Sequence, residues 1–165
     1  MRSTHRFCAW LQGTPISLAI QRTDWVVPLV QTIHILSIAA VVSAALMIDL
    51  RALGALGRDQ SVAGVSRRFR PMIWRALPIL LLTGVVLIVG EPSRSLENPV
   101  FGLKMALLAA AIAVTLAHQL PLRKDPAYWD QPGARRGAMR LIAALSLLSW
   151  SGIVFAGRWI AYSLS

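Results

Sequence analysis

The sequence predicts an all-α integral membrane protein, a four-helix transmembrane bundle preceded by a short N-terminal interfacial amphipathic helix. Three observations carry this. Of 165 residues, 56% are hydrophobic and the mean hydropathy is +0.59, more apolar than an ordinary soluble domain. Four stretches, residues 25–48, 71–90, 100–120 and 141–160, approach the roughly 20 residues a helix needs to cross a ~30 Å hydrocarbon core. The basic residues gather in two of the three loops between them. Lipid cannot satisfy the backbone of an unpaired strand, so the spans are helices. The domain organisation is an interfacial segment, 1–24, and one transmembrane domain, 25–165.

Residues 7–23 carry the interfacial helix: Thr14 is a good N-cap, Pro15 suits the first helical position, and Ile16, Ala19 and Ile20 recur at helical spacing. It is expected to lie on the membrane surface against Trp25. The first span ends where Asp49-Leu50-Arg51 returns charge to water, and Gly54 and Gly57 stop the helix. The second begins after Pro71; Pro78 should kink it, and Gly84 beside Thr83 permits close helix approach. Asn98-Pro99 starts the third sharply. A turn-rich loop with Pro121, Pro126, Pro132 and Gly133 follows, its Tyr128 and Trp129 expected at headgroup level. The fourth span has a small-residue face, Ser146, Ser149, Ser151 and Gly152, and ends at Arg158-Trp159. No internal repeat is present, which disfavours an inverted-repeat transporter.

The net charge of +10 does not indicate nucleic acid, because of where it lies. Arg51, Arg58, Arg67, Arg68 and Arg70 mark the first loop, and Arg123, Lys124, Arg135, Arg136 and Arg140 the third. Both loops fall on one side of a four-span chain. The positive-inside rule makes that side cytoplasmic, with both termini and the loop holding Glu91, Arg94 and Glu97 outward. Such clusters meet anionic headgroups of the bilayer. Cys8 is the only cysteine, which excludes an internal disulfide, c-type haem attachment and cysteine-ligated iron–sulfur clusters. No apolar run of signal-peptide length follows Arg2 and Arg6, so this segment is expected to be retained.

His34, Lys104 and His118 are ionisable residues inside the spans, and such groups at membrane depth ordinarily face the bundle interior. Lys104 and His118 are 14 residues apart, which returns to within about 40° of one helix face, ~21 Å along the axis. His34 shares its face with Ser37, Ile38, Val41 and Ala45, slim residues that would leave room beside the imidazole. Relative to each span's middle, His34 lies ~4–5 Å and Lys104 ~9 Å outward, and His118 ~12 Å inward. That offset argues against His34 and His118 sharing one iron. His34 as axial ligand to a b-type haem or related tetrapyrrole, with Lys104 as second ligand or counter-ion to a propionate, fits the spacing. Arg158 adds positive charge near the outer face for propionates or quinone oxygens, and His118 would extend the seam towards the cytoplasm.

Plainer readings stand beside this one. His34 can be a structural hydrogen-bonding group, His118 an interfacial residue, and Lys104 can snorkel to the headgroups. Zinc or copper catalysis wants three or more convergent ligands. No carboxylate pair lies within a span, and there is no P-loop or dinucleotide fingerprint. A complete catalytic set is therefore not legible; an enzymatic activity, if present, would be that of a membrane oxidoreductase. The other classes are a cofactor-free accessory subunit of a larger membrane complex, or a homo-oligomer, and a small-solute or metal transporter.

An ordered set of motifs runs from Thr14-Pro15-Ile16-Ser17 through Asp24-Trp25-Val26-Val27-Pro28, Thr32-Ile33-His34, Asp49 to Gly54, Thr83-Gly84, Asn98 to Phe101, Lys104-Met105 and His118 to Gly157 to Tyr162. This set resembles a bacterial family of uncharacterised small integral membrane proteins, which implies an inner-membrane location. More loosely, His-Ile in the first span with Lys early and His late in the third is similar to the four-helix protoporphyrinogen IX oxidase family and to copper-resistance D-type membrane proteins. The former resemblance implies b-type haem, with His34 and Lys104 in the site.

Overall fold

The computed structural model describes residues 2–57, 59–131 and 133–162. Among them there is no strand; seven helices follow one another: α1 Arg2–Gln12, α2 Pro15–Arg22, α3 Val26–Leu53, α4 Val62–Gly90, α5 Pro92–Leu96, α6 Pro99–Lys124 and α7 Ala134–Tyr162. The helices α3, α4, α6 and α7 are long and apolar enough to cross a membrane, and the protein is a multi-pass membrane protein. Many of the large apolar side chains point outward, Leu36, Leu82, Leu148 and Phe155 among them. This is the pattern of a bundle whose solvent is lipid.

The N-terminal segment differs from the single helix expected. Thr14 does cap α2, accepting from Ser17 N at 3.4 Å, but a second helix, α1, precedes it and the chain breaks at Gly13. Nor does the segment simply lie on the surface. Ser17 is buried and its hydroxyl donates to Val89 O at 2.7 Å. Ile20 packs so closely on Gly90 that a β-carbon there would sit 2.9 Å from its Cγ2. Cys8 is 1% exposed, and burial together with the neighbouring Glu97 carboxylate pushes its thiol above the ordinary value of 9.0. His5 Nδ1 meets Glu97 Oε1 at 2.7 Å. The segment is thus docked on the α4–α5 corner, with Phe7, Trp10, Ile16 and Trp25 left facing outward.

The long helices overrun the expected spans at the basic-loop end. Ser61 caps α4, accepting from Gly64 N at 3.0 Å, so the helix starts at Val62 and continues through Pro71 and Pro78. Pro121 likewise lies inside the last turns of α6. Gly54, at φ 80°, closes α3 in the left-handed conformation that glycine takes without strain.

The central core is built from small residues. Val41, Ala44, Ala45 and Ile48 of α3 meet Ile73 and Ala76 of α4, Ala111 of α6, and Trp150 and Ile153 of α7. Alanines on α3 let it approach α4 and α7 closely, as in membrane helix pairs whose association rests on packing. Helix α6 packs along α7 and makes no comparable approach to α3 or α4. Its most apolar window is 6% buried inside the bundle, against 28–33% for the other three. A second core cluster, Ala52, Val62, Trp129, Met139 and Ala143, closes the basic-loop end.

Candidate functional site

The polar residues inside the bundle fall into two levels, because α3 and α6 both run from the termini end to the basic-loop end. Near the termini, His34 of α3 faces Thr83 and Gly84 of α4. His34 Nδ1 lies 2.9 Å from Thr83 Oγ1. The threonine hydroxyl already donates to Ile79 O at 2.7 Å, so it accepts from the histidine and fixes the proton on Nδ1. Nε2 then carries the lone pair, the arrangement in which a second partner orients a ligating or proton-accepting imidazole. Gly84 makes room, a β-carbon there lying 3.5 Å from His34 Cε1.

Lys104 of α6 belongs to the same level. Its Nζ rests against α7, 3.7 Å from where a β-carbon of Gly157 would be. It is half-buried, so it lies against the helix pair instead of reaching freely to the headgroups. Arg158 follows Gly157 on α7 and is exposed. His34, against α4, and Lys104, against α7, thus lie at the same end of the bundle, on helices that make no close approach to each other.

His118 is not with them. It is 4% exposed at the basic-loop level, covered by Trp129. The indole stacks on the imidazole, centroids 5.9 Å apart and planes at 15°, and donates from Nε1 to His118 O at 2.9 Å. Trp129 is therefore not a headgroup anchor; its apolar area goes into the core while its N–H finds a carbonyl.

Beside His118 lies a group the sequence reading missed. Asp49, expected to return to water, is 4% exposed. It sits one helical turn after Ala45 on the packed face of α3, and the Ser146 hydroxyl of α7 donates to its carboxylate. Asp49, Thr115, His118, Gln119 and Ser146 line one cavity together with Ala45, Ile48, Ile73, Val114 and Ile142. Trp74 Nε1 of α4 donates to Gln119 Oε1 at 2.8 Å, which aims the amide nitrogen the other way. The cavity has space for about one water molecule. The signal was the spacing itself, since Val41, Ala45 and Asp49 recur every fourth residue.

A tetrapyrrole does not fit between Asp49 and His118. At the His34 level the donor chemistry does fit one, with an imidazole nitrogen bearing a lone pair, an oriented ring and a nearby cation. Among the described residues no three His, Cys, Asp or Glu side chains converge on a bare metal ion.

The model of the family of unknown function DUF6644 matches residues 22–163. The chain belongs to that family. The match takes in all four spans, His34, Asp49, Lys104 and His118, while α1 and nearly all of α2 lie before it. No curated protein and no solved structure matches the chain.

Proposed function

We propose that this DUF6644 protein is a bacterial inner-membrane protein that holds a b-type haem, or a related tetrapyrrole, in the seam where α6 stands off from α3 and α4. The observation that supports this is the 2.9 Å hydrogen bond that His34 Nδ1 donates to Thr83, whose own proton is engaged elsewhere. It leaves Nε2 as a preset ligand atom at membrane depth. His34 would hold the iron, and Lys104 with Arg158 would face propionates or the oxygens of a quinone. The bound group would supply one-electron transfer; the chain's own residues orient the ligand and balance its charge. The basic loops after α3 and α6 would face the cytoplasm. Expression with haem supplementation, purification and an absorbance scan test this. A Soret band in the wild type, lost in His34→Ala with the helical content retained, is expected; a wild type without the band overturns the proposal.

A second reading has its own support. The low burial of α6 inside the bundle suits a cofactor-free accessory subunit that lays this helix against a larger membrane complex. It requires a copurifying partner whose binding survives His34→Ala.

A further inference from the structure

We propose that the cavity at the basic-loop end is a proton-binding site, in which Asp49 and His118 share a proton through a single bridging water. Nothing in this inference rests on the haem reading, which concerns the other level.

Among the described residues four buried side-chain polar atoms have no hydrogen-bond partner; Trp150 Nε1 lies outside the cavity lining, and the other three are Asp49 Oδ2, His118 Nε2 and Gln119 Nε2. All three residues are 4% exposed and all line the one water-sized cavity. Buried groups of this kind are costly unless satisfied. One water does so for the whole set, accepting from the Gln119 amide N–H and donating its hydrogens to Asp49 Oδ2 and His118 Nε2. Three bonds is the usual complement of a buried water.

The orientation of Gln119 decides between a water and a metal cation. Trp74 Nε1 donates to Oε1, so the cavity meets the amide's N–H donors, which repel a cation and suit a water oxygen. The titratable groups that face the site are Asp49 of α3 and His118 of α6. From α4 the lining residue is Ile73, and from α7 Ile142 and Ser146, none of them ionisable. With no Lys or Arg lining it, a carboxylate here is an uncompensated buried charge. A proton from solvent removes it, binding either to Asp49 Oδ2 or to His118 Nε2. In the second case the new N–H donates to the water oxygen, which still accepts from Gln119 and still donates to Asp49. Both forms take the cluster from a single negative charge to none, and the water lets the proton pass between them.

Trp129, stacked on His118, supplies a readout, because imidazolium quenches indole emission. The test is a pH titration of the full-length protein in nanodiscs, followed by infrared difference spectroscopy and by the emission difference between wild type and Trp129→Phe. A carboxylic-acid band that titrates, shifts on labelling aspartate with heavy carbon and is lost in Asp49→Asn is expected. So is an emission step with the same midpoint, abolished in His118→Gln. Should Asp49→Asn not fold, the labelled wild type decides alone. A titration with no buried aspartic-acid band overturns the proposal. So does a band suppressed when sodium chloride replaces choline chloride, which would make this a cation site.

Discussion

Gly90→Ala probes whether the N-terminal helices are fastened to the bundle by a close backbone contact. The new β-carbon would lie 2.9 Å from Ile20 Cγ2 and 3.8 Å from Val27 Cγ2. Carbon atoms prefer separations of about 3.5–4.0 Å, so α2 must move out by roughly 0.6–1.1 Å. Ile20 cannot swing the methyl aside, because it branches at Cβ and its χ1 is restricted. Overpacking of this kind costs about 1–3 kcal/mol, which raises the undocked fraction about 5- to 150-fold. Alanine also favours the helical state of α4 by up to ~1 kcal/mol over glycine, so a melting temperature would mix two opposing effects. Cys8 separates them. It is the chain's only cysteine, 1% exposed, and α1 is tied to α2 through Thr14, whose hydroxyl donates to Leu11 O at 2.7 Å. Its maleimide labelling therefore reports undocking. Faster labelling in Gly90→Ala, restored towards wild type by adding Ile20→Ala, is expected; labelling at the wild-type rate would refute the reasoning.

Thr83→Val keeps the side chain's shape and removes the acceptor for His34. A double-mutant cycle with His34→Ala, read by thermal unfolding in detergent, should give a coupling of about 0.5–1.5 kcal/mol, and no coupling would show the bond to be energetically idle. Because burial and Glu97 hold the Cys8 thiol above 9.0, its alkylation by iodoacetamide should rise at higher pH than that of a free thiol, and Glu97→Gln should move the onset to lower pH. The sign for stability follows: the thiol's contribution to docking is fully present below 9.0 and is lost as pH rises past it, since the undocked thiol ionises first. Trp129→Phe retains the stack on His118 and loses one hydrogen bond, an expected loss of about 0.5–1.5 kcal/mol by thermal unfolding. Asp49→Asn and His34→Ala lie about 22 Å apart along α3, so their effects on unfolding should add within about 0.5 kcal/mol.

How far the fold was legible follows from what each element's signal depends on. Span number and order rest on length and hydropathy, which lipid enforces without regard to tertiary detail. The Thr14-Pro15 start of α2 and the Asn98-Pro99 start of α6 were legible because a cap is local chemistry. Asn98 Oδ1 accepts from Val100 N at 2.9 Å. The starts of α4 and α7 were not, since Arg67, Arg68 and Arg70 early in α4 and Arg135, Arg136 and Arg140 early in α7 interrupt the span-like hydropathy. Pro71 and Pro121 looked like boundaries, yet both sit inside helices; each removes one backbone donor, which neighbouring groups can compensate. Helix α1 was missed because its apolar residues, Phe7, Cys8 and Trp10, read as part of the segment beginning later.

The site was half legible, and the halves differ in what they needed. His34 and Lys104 stand out because each is a lone ionisable residue amid apolar ones, and the matched depths already placed them together. Asp49 was disguised by Arg51, two residues on. Two residues turn a helix by ~200°, so the charges point to opposite sides. Arg51 Nε donates to Gln60 O in the exposed loop, while Asp49 turns in to Ser146. A charge pair at a span's end therefore marks a boundary only if both members share a face. Between the two levels lie Val41, Ala44, Ala45 and Ala111, with Leu107 and Leu108 packed on them, and Trp150, whose buried Nε1 has no hydrogen-bond partner. The hydrogen bonds of the two levels run within each level, His34 to Thr83 at one and Trp74 to Gln119 at the other. Whatever the His34 level binds, a proton gained at Asp49 would be felt there through movement of the long helices as bodies, since all four span both levels and carry residues of each.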